Sequence, residues 1–419
     1  MPSHGPTVYL HIGLPKTGTT HLQSLAWRNQ KKLKEAGVVY PGRMALHFLA
    51  SNDLRGRAFV GDPTTLRPGS WDAISSKARS APDRALVSHE TLGWARTEDA
   101  KRAMDSLAPA TVHLIVTVRD LARQVPAVWQ ERLKNGSTET YSTFLKAISS
   151  RPDIKSHRRF WHSQDVVETL SRWSIPPPER VHVITVPPSG SSPDLLWERF
   201  ASVLGVDPGV ATSPAPRNNT SLGVAEAELL RRMNPILREG AGSQSAYSRV
   251  VKGHFVGNIL AGSDEDDRIG IPPEYRDWVV ERGQEMIDGL ARGGFDIVGD
   301  LAELKSTFPD TEFAAPGDVT QARLLKVAAE CVAAQAMETD RLRGQAKTRG
   351  KSHSRRMPEA RPHPGAPVPA RPTPAARAEI LAAKARRLAA KARTRAGRVR
   401  RRLALRTRLR QLNAVLRRR

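Results

Sequence analysis

Cysteine is almost absent from this chain of 419 residues, and long apolar runs are absent altogether. The single cysteine, Cys331, excludes an internal disulfide framework and argues against a cysteine-based metal cluster. No stretch approaches the ~20 consecutive apolar residues that a transmembrane helix needs. The first residues, MPSHGPTVYLHIG, also lack the basic start and long apolar core of a signal peptide. We therefore expect a cytoplasmic protein.

Most of the chain has no excess of positive over negative residues, although the formal net charge is +24. Residues 341–419 contain 26 of the 66 basic residues and 2 of the 42 acidic ones, which leaves 40 of each in residues 1–340. Any argument from the net charge therefore applies to the C-terminal tail alone. Apolar residues make up 39% of the sequence and charged residues 26%, so global disorder is excluded.

Short apolar runs alternate with helical patterns over the first 210 residues. The predicted strands are Val8–Ile12, Ala85–Ser88, Thr111–Val118 and Val181–Val186. The predicted helices after the first, third and fourth of them are Thr19–Ala36, Leu121–Lys134 and Pro193–Leu204. Strands that alternate with helices predict an α/β fold, with a parallel sheet flanked by helices on both faces.

Beyond Pro214 the sequence becomes helical and then strongly basic. Helices are predicted near Gly223–Leu237, Glu274–Ala291 and Val319–Arg343. We divide the chain into a domain at 1–300, a helical extension at 301–343, a proline-rich disordered linker at 344–375 and a basic helix at 376–419. Leucines at 405, 409, 412 and 416 fall on one face of that last helix.

The segment Gly13-Leu14-Pro15-Lys16-Thr17-Gly18-Thr19-Thr20 directly follows the first predicted strand. A strand that enters a glycine-containing loop and then a helix directs several backbone N–H groups at one point, which suits an anion. The spacing of Gly13 and Gly18 fits the nucleoside-triphosphate loop, but Thr19 stands where that motif needs lysine. The lysine lies three positions earlier, at Lys16.

This loop resembles the 5′-phosphosulfate loop of the sulfotransferases that use 3′-phosphoadenosine-5′-phosphosulfate (PAPS). The resemblance covers roughly residues 7–300. It implies that the loop binds the 5′-phosphate of PAPS, with Lys16 near the bridging oxygen of the leaving group. The loop residues it assigns to the cofactor are Pro15, Lys16, Thr17, Gly18, Thr19 and Thr20.

The resemblance also implies a site for the 3′-phosphate, formed by an arginine at a strand end and a serine eight residues later. Arg119 follows the strongest predicted strand and matches the arginine, whereas Ala127 stands where the serine is expected. Arg217, before a late helix, and Lys252, in a Lys-Gly pair, are further candidates for the cofactor. An arginine can hold a phosphate bidentately by itself.

Proton removal from the acceptor requires a base near the carboxyl edge of the sheet. Glu90 and His89 follow the strand at residues 85–88, and family members use either a glutamate or a histidine in this part of the chain. We favour Glu90, with His89 as the alternative. The hypothesis is therefore transfer of a sulfuryl group from PAPS to a hydroxyl or amine acceptor, without a metal.

Two other hypotheses stay open. One is a Mg-ATP-dependent kinase, with Thr20 on the magnesium ion and Asp120 as a distant carboxylate. The other is an adaptor with an inactive enzyme fold, which binds an anionic membrane or nucleic acid through its tail. The leucine face of the tail favours the inner membrane surface over nucleic acid, because binding to a phosphate backbone needs charge but no apolar face.

Overall fold

The computed structural model describes residues 5–150, 155–215, 221–260, 268–309 and 313–354. The chain divides into two compact units, one formed by residues 1–235 and 243–328 and the other by residues 236–242 and 329–419. The first unit contains the sheet and all the candidate site residues that the structure describes. In the described part of the chain, no helix has the length and apolarity needed to cross a membrane.

Parallel strands form one six-stranded sheet in the order β2-β3-β1-β4-β5-β6. The strands are β1 Thr7–His11, β2 Val38–Val39, β3 Arg84–Ser88, β4 Thr111–Val118, β5 Val181–Thr185 and β6 Asp296–Val298. The predicted α/β fold with a parallel sheet is confirmed, and the four predicted strands form its centre. The edge strands β2 and β6 are too short to leave a strand pattern in the sequence.

Helices cover the sheet and connect its strands. Their bounds are α1 Thr19–Arg28, α2 Gln30–Glu35, α3 Met44–Leu54, α4 Ser70–Arg79, α5 Thr97–Leu107, α6 Leu121–Lys134, α7 Tyr141–Ser149, α8 Lys155–Gln164, α9 Val166–Arg172, α10 Leu195–Leu204, α11 Val224–Ala241, α12 Gln244–Tyr247, α13 Arg276–Arg292 and α14 Gln321–Ser354. Irregular helical turns, Ser248–Leu260, follow α12. On one face of the sheet, α1 and α10 pack over apolar side chains of β1, β3, β4 and β5.

The single helix predicted over residues 19–36 is two helices, α1 and α2, which meet at Asn29. The buried Asn29 side chain donates to the Leu25 carbonyl at 2.9 Å and to the Ser213 carbonyl at 3.0 Å, and it accepts from the Ser213 N–H at 2.9 Å. A side chain that bonds to the backbone competes with the helical ladder, which ends α1. The partner at position 213 lies far away in sequence, so no local pattern announces this break.

The last described helix, α14, also ends elsewhere than expected. It continues to Ser354, whereas the predicted helix ends at Arg343 and gives way to a linker at 344. Residues 344–354 contain no proline, and the proline-rich composition begins only at Pro358. Proline, which ends helices, is therefore absent from the first residues of the predicted linker. The predicted tail helix at 376–419 lies outside the described residues.

The strand order fixes where a ligand can enter. The chain leaves β1 toward β2 and β3 on one side, and it leaves β4 toward β5 on the other. The loops that follow β1 and β4 therefore diverge and leave a crevice beyond the carboxyl ends of these strands. Open parallel sheets bind their ligands at such a switch point.

Candidate functional site

The loop between β1 and α1 lies at this crevice and has the shape of an anion cradle. Gly13 and Gly18 have φ values of 118° and 84°, and Lys16 has a φ of 69°, which is unusual for a residue with a side chain. Gly18 precedes α1 and has no side chain that could cap it, so this helix N-terminus is suited to an anion. Thr20 is exposed in this turn, and Thr19 is buried.

A buried polar network beneath the loop holds its backbone. The Thr17 hydroxyl donates to the Leu14 carbonyl and lies 2.5 Å from the Thr117 hydroxyl on β4. The backbone N–H of Thr117 donates to the Gly13 carbonyl at 2.6 Å. Thr17 was predicted to contact the cofactor, but its hydroxyl is used inside the protein, so it offers a ligand only its backbone.

His11, at the end of β1, completes this network. Its Nδ1 lies 2.7 Å from the Ser88 hydroxyl on β3, and its Nε2 lies 3.4 Å from the Thr117 hydroxyl on β4. Burial lowers the pKa of His11 to about 4, so the ring is neutral at pH 7. One neutral imidazole therefore joins the three central strands directly below the loop.

Helix α6 clamps the loop from the other side. The Gln124 amide donates to the Pro15 carbonyl at 2.5 Å and to the Gln164 side chain at 2.6 Å. Pro15, another predicted cofactor residue, therefore gives its carbonyl to this clamp. The sequence shows Gln124 only as one polar position on an amphipathic helix, so local analysis could not identify it.

The structure brings the two predicted lysines, Lys16 and Lys252, to one carboxylate. Glu131 on α6 accepts from Lys16 Nζ at 3.1 Å and from Lys252 Nζ at 2.5 Å. Burial raises the pKa of Glu131, but the two ammonium groups outweigh it and hold this pKa well below its usual range. Burial and the charge of Lys16 lower the pKa of the nearby Lys134 to about 8. Glu131 and Lys134 were not predicted, because only the fold places them beside the loop.

Arg119 directly follows β4 and contacts the loop backbone. Its Nη1 donates to the Lys16 carbonyl at 3.4 Å, and its buried Nε has no hydrogen-bond partner among the described residues. Burial, with the Arg123 charge beside it, lowers the pKa of Arg119 to about 10, so the group is a cation at pH 7. A guanidinium with a buried N–H that no described residue accepts is chemically suited to an anionic ligand.

Asp120, proposed above as a distant magnesium carboxylate, is engaged elsewhere. Its side chain caps α6 by accepting from the Arg123 N–H at 2.9 Å, and it also accepts from the Arg123 guanidinium. Asp120 is 5% exposed. Among the residues that the structure describes, no cluster of histidine, cysteine, aspartate and glutamate could hold a metal ion.

Glu90 and His89 lie at the end of β3, beside the loop. A Cβ placed on Gly13 would be 3.1 Å from the Glu90 carbonyl oxygen, so the loop backbone passes directly over Glu90. The Glu90 carboxylate accepts from the Gln23 amide of α1 at 3.1 Å, and its side chain is 26% exposed. Burial raises the pKa of Glu90, but His89, its own backbone N–H and Gln23 together lower it below the ordinary value.

The His89 ring is oriented by its neighbour Thr91. The Thr91 N–H donates to His89 Nδ1 at 3.2 Å, so a neutral ring carries its proton on Nε2, which lies 4.0 Å from the Glu90 carboxylate. Burial lowers the pKa of His89, although the charge of Glu90 opposes this. Glu90 is therefore the member of the pair with a free basic atom.

Aromatic side chains lie near this pair. The Phe48 ring lies 5.2 Å from the His89 ring, and Tyr40 stacks on His47 at 4.1 Å. Burial and the charge of Glu90 raise the pKa of Tyr40, whose hydroxyl has no partner in the described part of the chain. No local sequence pattern reveals this arrangement, because its members come from separate elements.

Two of the predicted cofactor residues, Lys252 and Arg217, come late in the sequence. Lys252 belongs to the helical turns Ser248–Leu260 and reaches the loop through Glu131. Arg217 lies outside the described residues. Ala127 lies on α6 one helical turn before Glu131, on the same face. No family model, no curated protein and no solved structure matches the chain, so any functional assignment depends on the geometry of this site.

Proposed function

We propose that the protein is a sulfotransferase that moves the sulfuryl group of PAPS to a hydroxyl or amine acceptor. The observation that carries the proposal is the close approach of the loop backbone to Glu90, whose carboxylate accepts a hydrogen bond from Gln23 in the helix that follows the loop. Gly13 passes within contact distance of Glu90, and Lys16 stands on the same loop. An anion cradle and a basic atom thus meet at one sheet edge, as an in-line transfer requires.

The chemistry of the loop supports transfer of the sulfuryl group away from a leaving phosphate. The acceptor oxygen or nitrogen forms a bond to sulfur, while the bond from sulfur to the bridging phosphate oxygen breaks. Charge develops on that phosphate, and the loop N–H groups together with Lys16 stabilise it. Adenosine 3′,5′-bisphosphate leaves with this charge. Arg119, with its unpaired Nε, supplies a further cation for the phosphates.

The acceptor's proton passes to Glu90. This carboxylate is ionised at neutral pH, since its pKa lies below the ordinary value. His89 cannot accept a proton at Nε2 in the tautomer that Thr91 selects, so we assign it the positioning of Glu90. The aromatic side chains beside the pair, including Phe48, would contact the acceptor.

A thermal-shift measurement on the full chain tests the proposal. We expect adenosine 3′,5′-bisphosphate to raise the melting temperature without magnesium, and Mg-ATP to have little effect. Stabilisation by Mg-ATP alone would instead favour the kinase. Stabilisation by neither ligand would contradict both enzyme hypotheses and leave the adaptor.

Lys16→Ala tests the role of the loop lysine in transfer. With radiolabelled PAPS and a metabolite extract as the acceptor source, we expect turnover to fall by about 100-fold or more, as when one transition-state donor is removed. Binding of the bisphosphate should change much less. Lys32→Ala, on the exposed side of α2, is the matched control. Near-normal turnover of Lys16→Ala would refute the mechanism.

A further inference from the structure

Glu131 is a carboxylate in the middle of a cationic site. Its two oxygens are each within ion-pair distance of a different lysine, Lys16 from the loop and Lys252 from the turns after α12. The Lys134 side chain, on the same helix, is 8% exposed and interacts electrostatically with all three groups. Among the residues that the structure describes, these interactions join three ammonium groups to the Glu131 carboxylate.

The two lysines do not need the Glu131 ion pairs for solvation of their charges. Lys16 and Lys252 keep side-chain exposures of 33% and 39%, so water could solvate both ammonium groups without Glu131. Exposed lysines gain little stability from an ion pair. A carboxylate that repels incoming anions at a site built to bind them therefore requires a reason connected with the ligand.

The position of Glu131 on α6 supplies that reason. It lies one turn beyond Ala127, on the face that is directed at the loop, and its oxygens bridge the two lysines. A phosphate oxygen bound by Lys16 and Lys252 has to replace this same bridge. The carboxylate therefore makes the same two cationic contacts that the ligand's anion would make.

We infer that Glu131 is a positioning residue which holds Lys16 and Lys252 together and competes with the cofactor's phosphates for both. This inference rests on the proposed function only in naming the anion. Glu131 keeps the two lysines together. A ligand must therefore carry enough negative charge to displace the Glu131 carboxylate from them. Glu131 thereby sets the affinity for the product bisphosphate and assists its release.

Glu131→Gln tests this role in the full-length protein. The amide keeps the shape and one hydrogen-bond acceptor but loses the charge. We expect calorimetry to show adenosine 3′,5′-bisphosphate bound about tenfold more tightly than by the wild type, which corresponds to about 1.4 kcal/mol. In a Lys16→Met background the same substitution should give a clearly smaller gain. A melting curve checks that each variant is folded, and Glu131→Ala provides a second variant.

Glu139→Gln is the matched control, because Glu139 pairs with Arg132 at 2.8 Å and touches neither lysine. The affinity of the Glu139→Gln protein for the bisphosphate should equal that of the wild type. Unchanged or weaker binding by folded Glu131→Gln, or an equal gain with and without Lys16, would overturn the inference while the sulfotransferase proposal stands. If the wild type binds ATP but no bisphosphate, and Glu131→Gln tightens ATP, the inference holds and the proposed function fails. Binding of neither anion by wild type or variant would overturn both.

Discussion

At the scale of single residues, the side chains that matter most are those with more than one partner. His11 and Thr117 each touch groups from different strands, and Glu131 bridges two lysines. Such residues carry no sequence motif, because their partners lie far away in the chain. Lys16 and Glu90 were predicted because each directly follows a strand in a recognisable segment.

The division of roles between Glu90 and His89 can be measured. Glu90→Gln should remove most sulfuryl transfer and leave bisphosphate binding intact, because the amide cannot accept the proton. His89→Asn should lower turnover less, since it removes only an orienting neighbour. Transfer from radiolabelled PAPS gives the rates, and calorimetry gives the affinities. The opposite order of the two losses would assign the base to His89.

His11 should make the fold sensitive to acid. Its folded pKa of about 4 lies below the ordinary 6.5, so the unfolded chain binds the additional proton between these values. The contribution of His11 is complete above pH 6.5 and is lost as the pH falls toward 4, by up to about 1.4 kcal/mol per pH unit.

Urea unfolding of wild type and His11→Asn across this range isolates that contribution. At pH 7 the variant should be less stable, because it loses the contacts with Ser88 and Thr117. The difference between the two proteins should shrink as the pH is lowered. A difference that stays constant from pH 7 to pH 4 would contradict a neutral buried His11.

At the scale of elements, β1, its loop and α6 form the core of the site. The bounds of α6 and β4 agree with the sequence prediction at both ends. Helix α6 places Gln124 on the Pro15 carbonyl and Glu131 on Lys16. One side of the helix thus contacts the loop at both positions. Periodicity gives the position of such a helix in the sequence, but not the element that its polar residues contact.

Gly13 tests how tightly the loop is packed against β3. Alanine at this position would combine an unfavourable φ of 118° with a Cβ only 3.1 Å from the Glu90 carbonyl oxygen. Gly190 has a φ of 87°, and a Cβ there would meet nothing within 4 Å. Both alanine variants should lose about 1 kcal/mol or more of unfolding free energy to backbone strain.

Only Gly13→Ala should also weaken binding of adenosine 3′,5′-bisphosphate, because only there must the loop move away from Glu90. Urea unfolding and calorimetry on the two variants make the comparison. Equal effects of Gly13→Ala and Gly190→Ala on affinity would show that the loop tolerates this shift. The close approach of the loop to Glu90 would then have no role in binding.

At the scale of the whole molecule, the excess positive charge and the candidate site lie in different parts of the sequence. Residues 1–340 have equal numbers of acidic and basic residues, whereas residues 341–419 hold the entire excess. The cations of the candidate site, Lys16, Arg119 and Lys252, are therefore a local concentration within an otherwise balanced body. The +24 net charge has no bearing on them.

This segregation predicts that the tail can be removed without affecting the site. Truncation should follow Ser354 rather than Arg343, because α14 continues to Ser354. The shortened protein should bind adenosine 3′,5′-bisphosphate like the full chain but should no longer sediment with anionic vesicles at low salt. If the full chain ignores vesicles and shifts duplex DNA instead, the tail's partner is nucleic acid. Binding to neither would contradict both partners.

The sequence by itself determined the parallel α/β fold, the four central strands and the segregation of charge, since each depends on local composition or periodicity. It also located the loop at residues 13–20 and the Glu90 segment. Only the tertiary structure decided that Thr17 faces inward, that Asn29 divides a helix and that Glu131 joins Lys16 to Lys252. These contacts join residues up to 184 positions apart in the sequence. Strand order and helix packing bring them together, and no local pattern encodes either.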